Sequence, residues 1–262
     1  MSLKETSVAG TVLRIERSSI YDGNGFRTVI FLKGCPLRCL WCSTPESQAF
    51  EMEQAGDITY GRRMSVAEVM QEVRKDSACF FHSGGGMTLS GGEILAQPAF
   101  SRALLAQAQN ECIDTAIETS LFAPFETCQK LLPYVNTIYA DLKVFDSAGH
   151  RKYCGIDNRL ILENFKKLNG PECDSFSFRL IARIPLIPGV NDSREELTRS
   201  GNFLATLKRL DHVELLPYHR LGTATYERLG RPYLMKEVKT PSADDMERAK
   251  QLLAQFVPAV VC

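Results

Sequence analysis

The run Phe26-Arg27-Thr28-Val29-Ile30-Phe31-Leu32 passes through Lys33 into Gly34-Cys35-Pro36-Leu37-Arg38-Cys39-Leu40-Trp41-Cys42. Its length and its β-branched and aromatic content read as a buried strand, which delivers the chain directly to a cysteine-rich loop. Runs of the same kind recur at Met87-Thr88-Leu89 and at residues 113–117, 135–142, 176–187 and 212–217, giving six core strands after a short leading strand near residues 8–15. Helical stretches separate them. Ser65 with Glu68 and Ser193 with Glu196 have capping-box spacing, and Pro98 stands where a first helical residue is favoured. Six successive βα units predict an α/β fold on a parallel sheet with helices outside, either doubly wound or a full or partial barrel. Both arrangements collect functional groups at the C-terminal ends of the strands.

The chain has 262 residues and a mass of 29.3 kDa, and no low-complexity tract, charge block or repeat divides it. A single domain over residues 1–262 is therefore expected. Hydrophobic residues at 44% and charged residues at 24% give a globular balance, which excludes a disordered or collagen-like chain. Lys and Arg total 31 against 31 Asp and Glu, so bulk attraction to nucleic acid or an anionic membrane is absent. No uncharged apolar run approaches the ~18 residues of a membrane span. Met1-Ser2-Leu3-Lys4-Glu5 carries no apolar signal core, and the expected location is cytoplasmic.

Nine cysteines are many for such a protein, and an odd number cannot all pair within one chain. Cys79, Cys112, Cys128, Cys154, Cys173 and Cys262 are scattered among apolar neighbours and read as small buried hydrophobes. Cys35, Cys39 and Cys42 differ: one loop places three thiols at spacings of four and three, close enough to wrap one metal centre. A structural zinc would need a fourth ligand, for which His82 is the nearest histidine beyond Cys42. An iron-sulfur cluster held by three cysteines would leave one iron without a protein ligand, open to a substrate or cofactor.

Cys-x3-Cys-x2-Cys with Trp41 before the last cysteine resembles the signature of the radical S-adenosylmethionine (SAM) superfamily. The likeness is closer to the activating enzymes of glycyl-radical enzymes, of the pyruvate formate-lyase activating enzyme type. It extends through residues 21–27, Pro45-Glu46, the run from Ser83 through Ser90-Gly91-Gly92-Glu93, Asp141-Leu142-Lys143, residues 188–192 and Leu215-Leu216-Pro217-Tyr218-His219. The resemblance implies a partial (β/α)6 TIM-like barrel. It also implies one 4Fe-4S cluster on Cys35, Cys39 and Cys42, whose open iron binds the amino and carboxylate groups of SAM. Reductive cleavage then gives a 5′-deoxyadenosyl radical that takes hydrogen from a glycine of a partner glycyl-radical enzyme, with a flavodoxin or ferredoxin-type protein as electron donor. Cluster and SAM carry the hard chemistry, and the protein positions and shelters them. A small-molecule or RNA substrate, or a non-catalytic zinc or iron-sulfur module, are the competing readings of the same loop.

Carried over residue by residue, the resemblance assigns cofactor contacts to Trp41, Ser43, Ser90, Gly91, Gly92, Glu93, Leu142 and Lys143, the SAM amino group falling to the Ser90–Glu93 turn. Glu118, Thr119, the backbone of Tyr139 and Asp141 would hold a monovalent cation, K+ or Na+, that touches the SAM carboxylate. Pyruvate formate-lyase activating enzyme has aspartate at the position of Glu118, and Ser43-Thr44 departs from the asparagine many relatives carry next to the proline. His219 would flank the adenosine, and Arg183 would pair with the SAM carboxylate or ribose. Asp22 would grip the partner's peptide. No cysteine lies between Cys42 and Cys79, where many relatives carry a ferredoxin-like insert, so one cluster is expected.

Overall fold

The computed structural model describes residues 8–257 and 259–262; Met1 to Glu5, read above, lie outside them. Among the described residues eleven strands are formed: β1 (Ala9–Ser19), β2 (Arg27–Leu32), β3 (Glu53–Ala55), β4 (Ile58–Tyr60), β5 (Arg62–Ser65), β6 (Gly86–Gly91), β7 (Asp114–Thr119), β8 (Thr137–Asp141), β9 (Arg179–Leu186), β10 (Leu210–Pro217) and β11 (Val260–Val261). Nine helices accompany them: α1 (Val66–Val73), α2 (Ser77–Ser83), α3 (Pro98–Asn110), α4 (Phe125–Gln129), α5 (Ser147–Cys154), α6 (Arg159–Leu168), α7 (Arg194–Leu204), α8 (Thr223–Arg228) and α9 (Ala243–Leu253). The main sheet runs β11-β10-β9-β8-β7-β6-β2-β1-β5. All six expected core strands, β2 and β6 to β10, are parallel neighbours, and β1 and β5 extend the sheet antiparallel at one edge. β5 and β11 do not meet, so the sheet stays open as a partial barrel.

Alternation along the strands divides the sheet into two chemically different faces. Ile30, Leu32, Met87, Leu89, Ile117, Ile138, Leu180, Ala182, Val213 and Leu215 belong to one continuous core with helix residues such as Val69, Leu104, Phe165 and Leu204. The intervening positions carry Thr88, Ser90, Glu118, Tyr139, Arg183 and Glu214. That second face, turned from the helices, is polar although much of it is buried.

Helix starts follow the sequence signals with one exception. Ser65 and Glu68 complete a capping box for α1, and Pro98 opens α3. Ser193 Oγ accepts from Glu196 N, but the Glu196 carboxylate accepts from the backbone of Phe145 and Asp146 instead of reaching back. It therefore ties α7 to the end of the β8 connection. Cys128, Cys154 and Cys173 are buried as expected, whereas Cys79, Cys112 and Cys262 are exposed, which corrects that reading for half of them. Among the described residues no helix is long and apolar enough to cross a membrane.

Candidate active site

Because the core strands are parallel, the loops after β2, β6, β7, β8 and β10 share one rim of the sheet. Cys35, Cys39 and Cys42 follow β2, and the loop that carries them is clamped from several sides. Gly34 N and Cys35 N donate to the carbonyls of Ser47 (2.7 Å) and Gln48 (3.2 Å). Arg38 N and Leu40 N donate to Cys154 O (2.8 Å) and Tyr153 O (3.0 Å), carbonyls at the end of α5. The flank is fixed by Lys33, which donates to Glu46 O and pairs with Glu53 (3.2 Å), and by Arg231, which pairs with Glu53 and donates to Pro45 O (2.9 Å). Trp41 is buried beside Leu37, Cys39 and Tyr218.

The thiols sit in surroundings that oppose thiolate formation without a compensating cation. Burial raises Cys35 well above the ordinary thiol range and pushes Cys42 up to about 11. Cys39 is raised first by a hydrogen bond with the Cys154 thiol and then by burial. Lys143 is one nearby protein cation; Arg38, within the loop, donates to Cys35 O and Leu37 O (2.8 Å). Burial alone would lower the Lys143 pKa, but Asp141 and Cys39 outweigh that and hold it above the ordinary lysine range. A cationic metal cluster would favour the thiolate form, and three soft sulfur donors suit iron-sulfur chemistry. The donor types therefore fit a cluster, although among the described residues no three His, Cys, Asp or Glu side chains stand close enough together to hold a metal ion.

The Ser90–Glu93 turn meets the cysteine loop through its backbone. Gly92 N donates to Leu32 O (2.9 Å) and Glu93 N to Gly34 O (2.8 Å). Gly91 has φ +105°, and a Cβ on Gly92 would stand 2.5 Å from Gly34 O. The two glycines thus let β6 lie against the segment entering Cys35. Gly92→Ala is expected to displace Gly34 and Cys35, lowering stability by about 2 kcal/mol and the iron retained per chain severalfold; thermal melting and iron analysis check both.

The Glu93 carboxylate is held inside the protein. The carboxylate is 1% exposed. It accepts from Leu95 N and Thr119 Oγ1 on one oxygen and from Ser120 N and Ser120 Oγ on the other. All four acceptor sites of the carboxylate are used inside the protein. Burial raises its pKa against those hydrogen bonds. Glu93 staples the β6 turn to the end of β7.

Below the rim, Arg183 organises the polar face. Its guanidinium pairs with Glu118 on β7 and with Glu214 on β10 (2.6 Å), and lies 3.9 Å over the Tyr139 ring. Burial alone would lower the Arg183 pKa, but the two carboxylates raise it beyond the ordinary range. Burial raises Glu118 against the pull of Arg183, and Asp22 adds to the rise. Ser90 Oγ donates to the other Glu118 oxygen (2.5 Å). Asp141 pairs with Lys143 at 2.8 Å.

The residue 20–26 connection crosses this face: Thr88 Oγ1 donates to Asp22 O (2.8 Å), and Arg183 donates to Tyr21 O (3.4 Å). The Asp22 carboxylate accepts from Ser19 Oγ. Ser43 is exposed, with its carbonyl 2.9 Å from where a Gly222 Cβ would be. His219 lies just past β10, exposed, with Nδ1 accepting from Leu221 N (3.4 Å), and burial lowers its pKa. The structure thus gathers Cys35, Cys39, Cys42, Asp141 and Lys143 at the rim and Asp22, Glu118, Tyr139 and Arg183 beneath them. Glu214 and Cys154 escaped the sequence reading. Glu214 is a charge inside the apolar run Val213-Glu214-Leu215, a signal that was available.

Comparison with known proteins places this geometry. The profile of the radical SAM superfamily matches residues 29–200. The isethionate sulfite-lyase activating enzyme of Nitratidesulfovibrio vulgaris is 35% identical over 309 aligned positions, covering 97% of this chain and 98% of that protein. The pyruvate formate-lyase 2-activating enzyme of Escherichia coli is 34% identical over 263 positions, covering 92% of this chain and 88% of that protein. The crystal structure of a domain of pyruvate-formate lyase-activating enzyme from Bacteroides vulgatus superposes with a TM-score of 0.54 at 33% identity, covering 66% of this chain and 95% of that domain.

Proposed function

The chain belongs to the radical SAM superfamily, among the activating enzymes of glycyl-radical enzymes, and we propose that it installs a glycyl radical on a partner enzyme. The observation that carries this reading is the three-thiol loop at the strand rim, set beside the Asp141–Lys143 pair and above a buried polar face. A bound, reduced cluster would supply the one electron needed to cleave SAM to a 5′-deoxyadenosyl radical, the species that would take hydrogen from the partner's glycine.

The protein's own residues hold and shield. Cys35, Cys39 and Cys42 would bind the cluster. Lys143, a half-buried cation near Cys39, would offset the negative charge of the thiolates. Trp41, Leu37 and Tyr218 exclude water behind the loop. Asp22, on the connection that crosses the polar face, is placed to meet an incoming peptide, and His219 at the rim would border the adenosine. Ser43, Ser90 and Leu142 stay in the proposed cofactor-binding set.

A single domain with one cluster agrees with a sheet that runs from β1 to β11 without interruption. The stretch between Cys42 and Cys79 forms β3 to β5 and α1 instead of a cysteine-bearing insert. The cluster needs a one-electron donor, for which a flavodoxin or ferredoxin-type protein is proposed. Free thiol ligands require a reducing compartment, and the cytoplasm is the proposed location.

The named relatives serve different partner enzymes, so the test uses several. Anaerobically reconstituted protein, dithionite and SAM are incubated with purified glycyl-radical enzymes. Electron paramagnetic resonance should show a protein glycyl radical with one of them, with 5′-deoxyadenosine formed in step. Cluster-loaded protein that never cleaves SAM would contradict the proposal.

A further inference from the structure

The cation site implied by the resemblance has both Glu118 oxygens, one Asp141 oxygen and the Thr119 hydroxyl already hydrogen-bonded, and each of its carboxylates is already paired with a protein cation. Glu118 gives one oxygen to Arg183 and the other to Ser90 Oγ (2.5 Å). Asp141 holds the Lys143 ammonium with one oxygen, Oδ2, at 2.8 Å. Thr119 Oγ1 donates to Glu93 (2.6 Å) and accepts from Leu121 N (2.9 Å). The remaining ligand would be a backbone carbonyl of β8, a strand paired on both sides.

We infer that SAM binding by this protein does not depend on an alkali cation, because the Arg183 guanidinium and the Lys143 ammonium occupy the carboxylates that would hold one. The inference rests on the proposed SAM-dependent function. Its physical basis is the length of Glu118. Arg183 stands on β9, two strands from Glu118 on β7, with Tyr139 of β8 between them. The additional methylene of glutamate relative to aspartate carries the carboxylate across the Tyr139 row to the guanidinium. Admitting a cation would detach Arg183, 7% exposed, from one of its two carboxylates. A buried guanidinium deprived of an acceptor is costly, and an alkali ion bound from dilute salt is a weak replacement. Arg183 is accordingly a positioning residue that fixes Glu118 beneath the cofactor.

The test is SAM binding to the anaerobically reconstituted protein, measured by equilibrium dialysis in potassium, sodium and tetramethylammonium chloride at equal ionic strength. The dissociation constant should agree within about twofold among the three. Tightening of about tenfold or more in potassium or sodium would overturn the inference, as would a bound signal in thallium-205 magnetic resonance. Glu118→Asp, too short to reach Arg183, should acquire a potassium dependence of at least about fivefold. Continued indifference of a folded Glu118→Asp protein to potassium would also overturn it. Cation-dependent binding with intact SAM cleavage removes this inference alone, whereas failure to cleave SAM in any of the salts removes the proposed function.

Discussion

Cys39→Ala protein, reconstituted with iron and sulfide without oxygen, is expected to emerge nearly colourless and inactive. Iron should fall from about four per chain to below one, and SAM cleavage by at least ~1000-fold. Cys39 is buried in the centre of the loop, and its backbone neighbours Arg38 and Leu40 are fixed to the end of α5. No backbone shift can therefore bring another donor to its place cheaply. Cys154 is the demanding control, because its thiol already touches that of Cys39. Cys154→Ala should keep the cluster and most activity. Full iron in Cys39→Ala would contradict the ligand assignment, and its loss on adding Cys154→Ala would show that Cys154 had taken over.

Glu93→Ala should be the most destabilising single change in the site. It strips acceptors from four donors: the backbone amides of Leu95 and Ser120 and the hydroxyls of Thr119 and Ser120. Each buried donor left unpaired costs free energy, and the expected loss is about 3 kcal/mol or more. In a chain of this length that lowers the melting temperature by roughly 10 °C. Glu93→Gln keeps the shape and isolates the charge. Since burial raises the wild-type carboxyl above its unfolded value, its contribution to stability is fully present below the unfolded pKa. That contribution is lost as pH rises through the folded value. Glu93→Gln should abolish this slope in urea denaturation followed across pH. An unchanged melting temperature in Glu93→Ala would refute the stapling role.

The six core strands were legible because buried parallel strands read as continuous apolar runs, and every such run became one. β5 was not, since Arg62-Arg63-Met64-Ser65 has no apolar pattern and pairs only because β1 presents an edge to it. The cysteine loop declared itself through spacing. The internal hydrogen bonds of Glu93 were not legible, because an acidic residue after two glycines has the same local appearance whatever its carboxylate meets; Thr119 and Ser120, its partners, lie 26 and 27 residues away. The pairing of Arg183 with Glu118 and Glu214 depends on register across four strands, β7 to β10, and sequence does not record register.

The vacancy left by three sulfur ligands is tested most directly by Mössbauer spectroscopy of protein reconstituted with iron-57, recorded before and after adding SAM. About a quarter of the spectral area, one iron in four, should change its parameters when SAM is added, while the rest stays in place. A spectrum in which no iron responds to SAM would contradict the account.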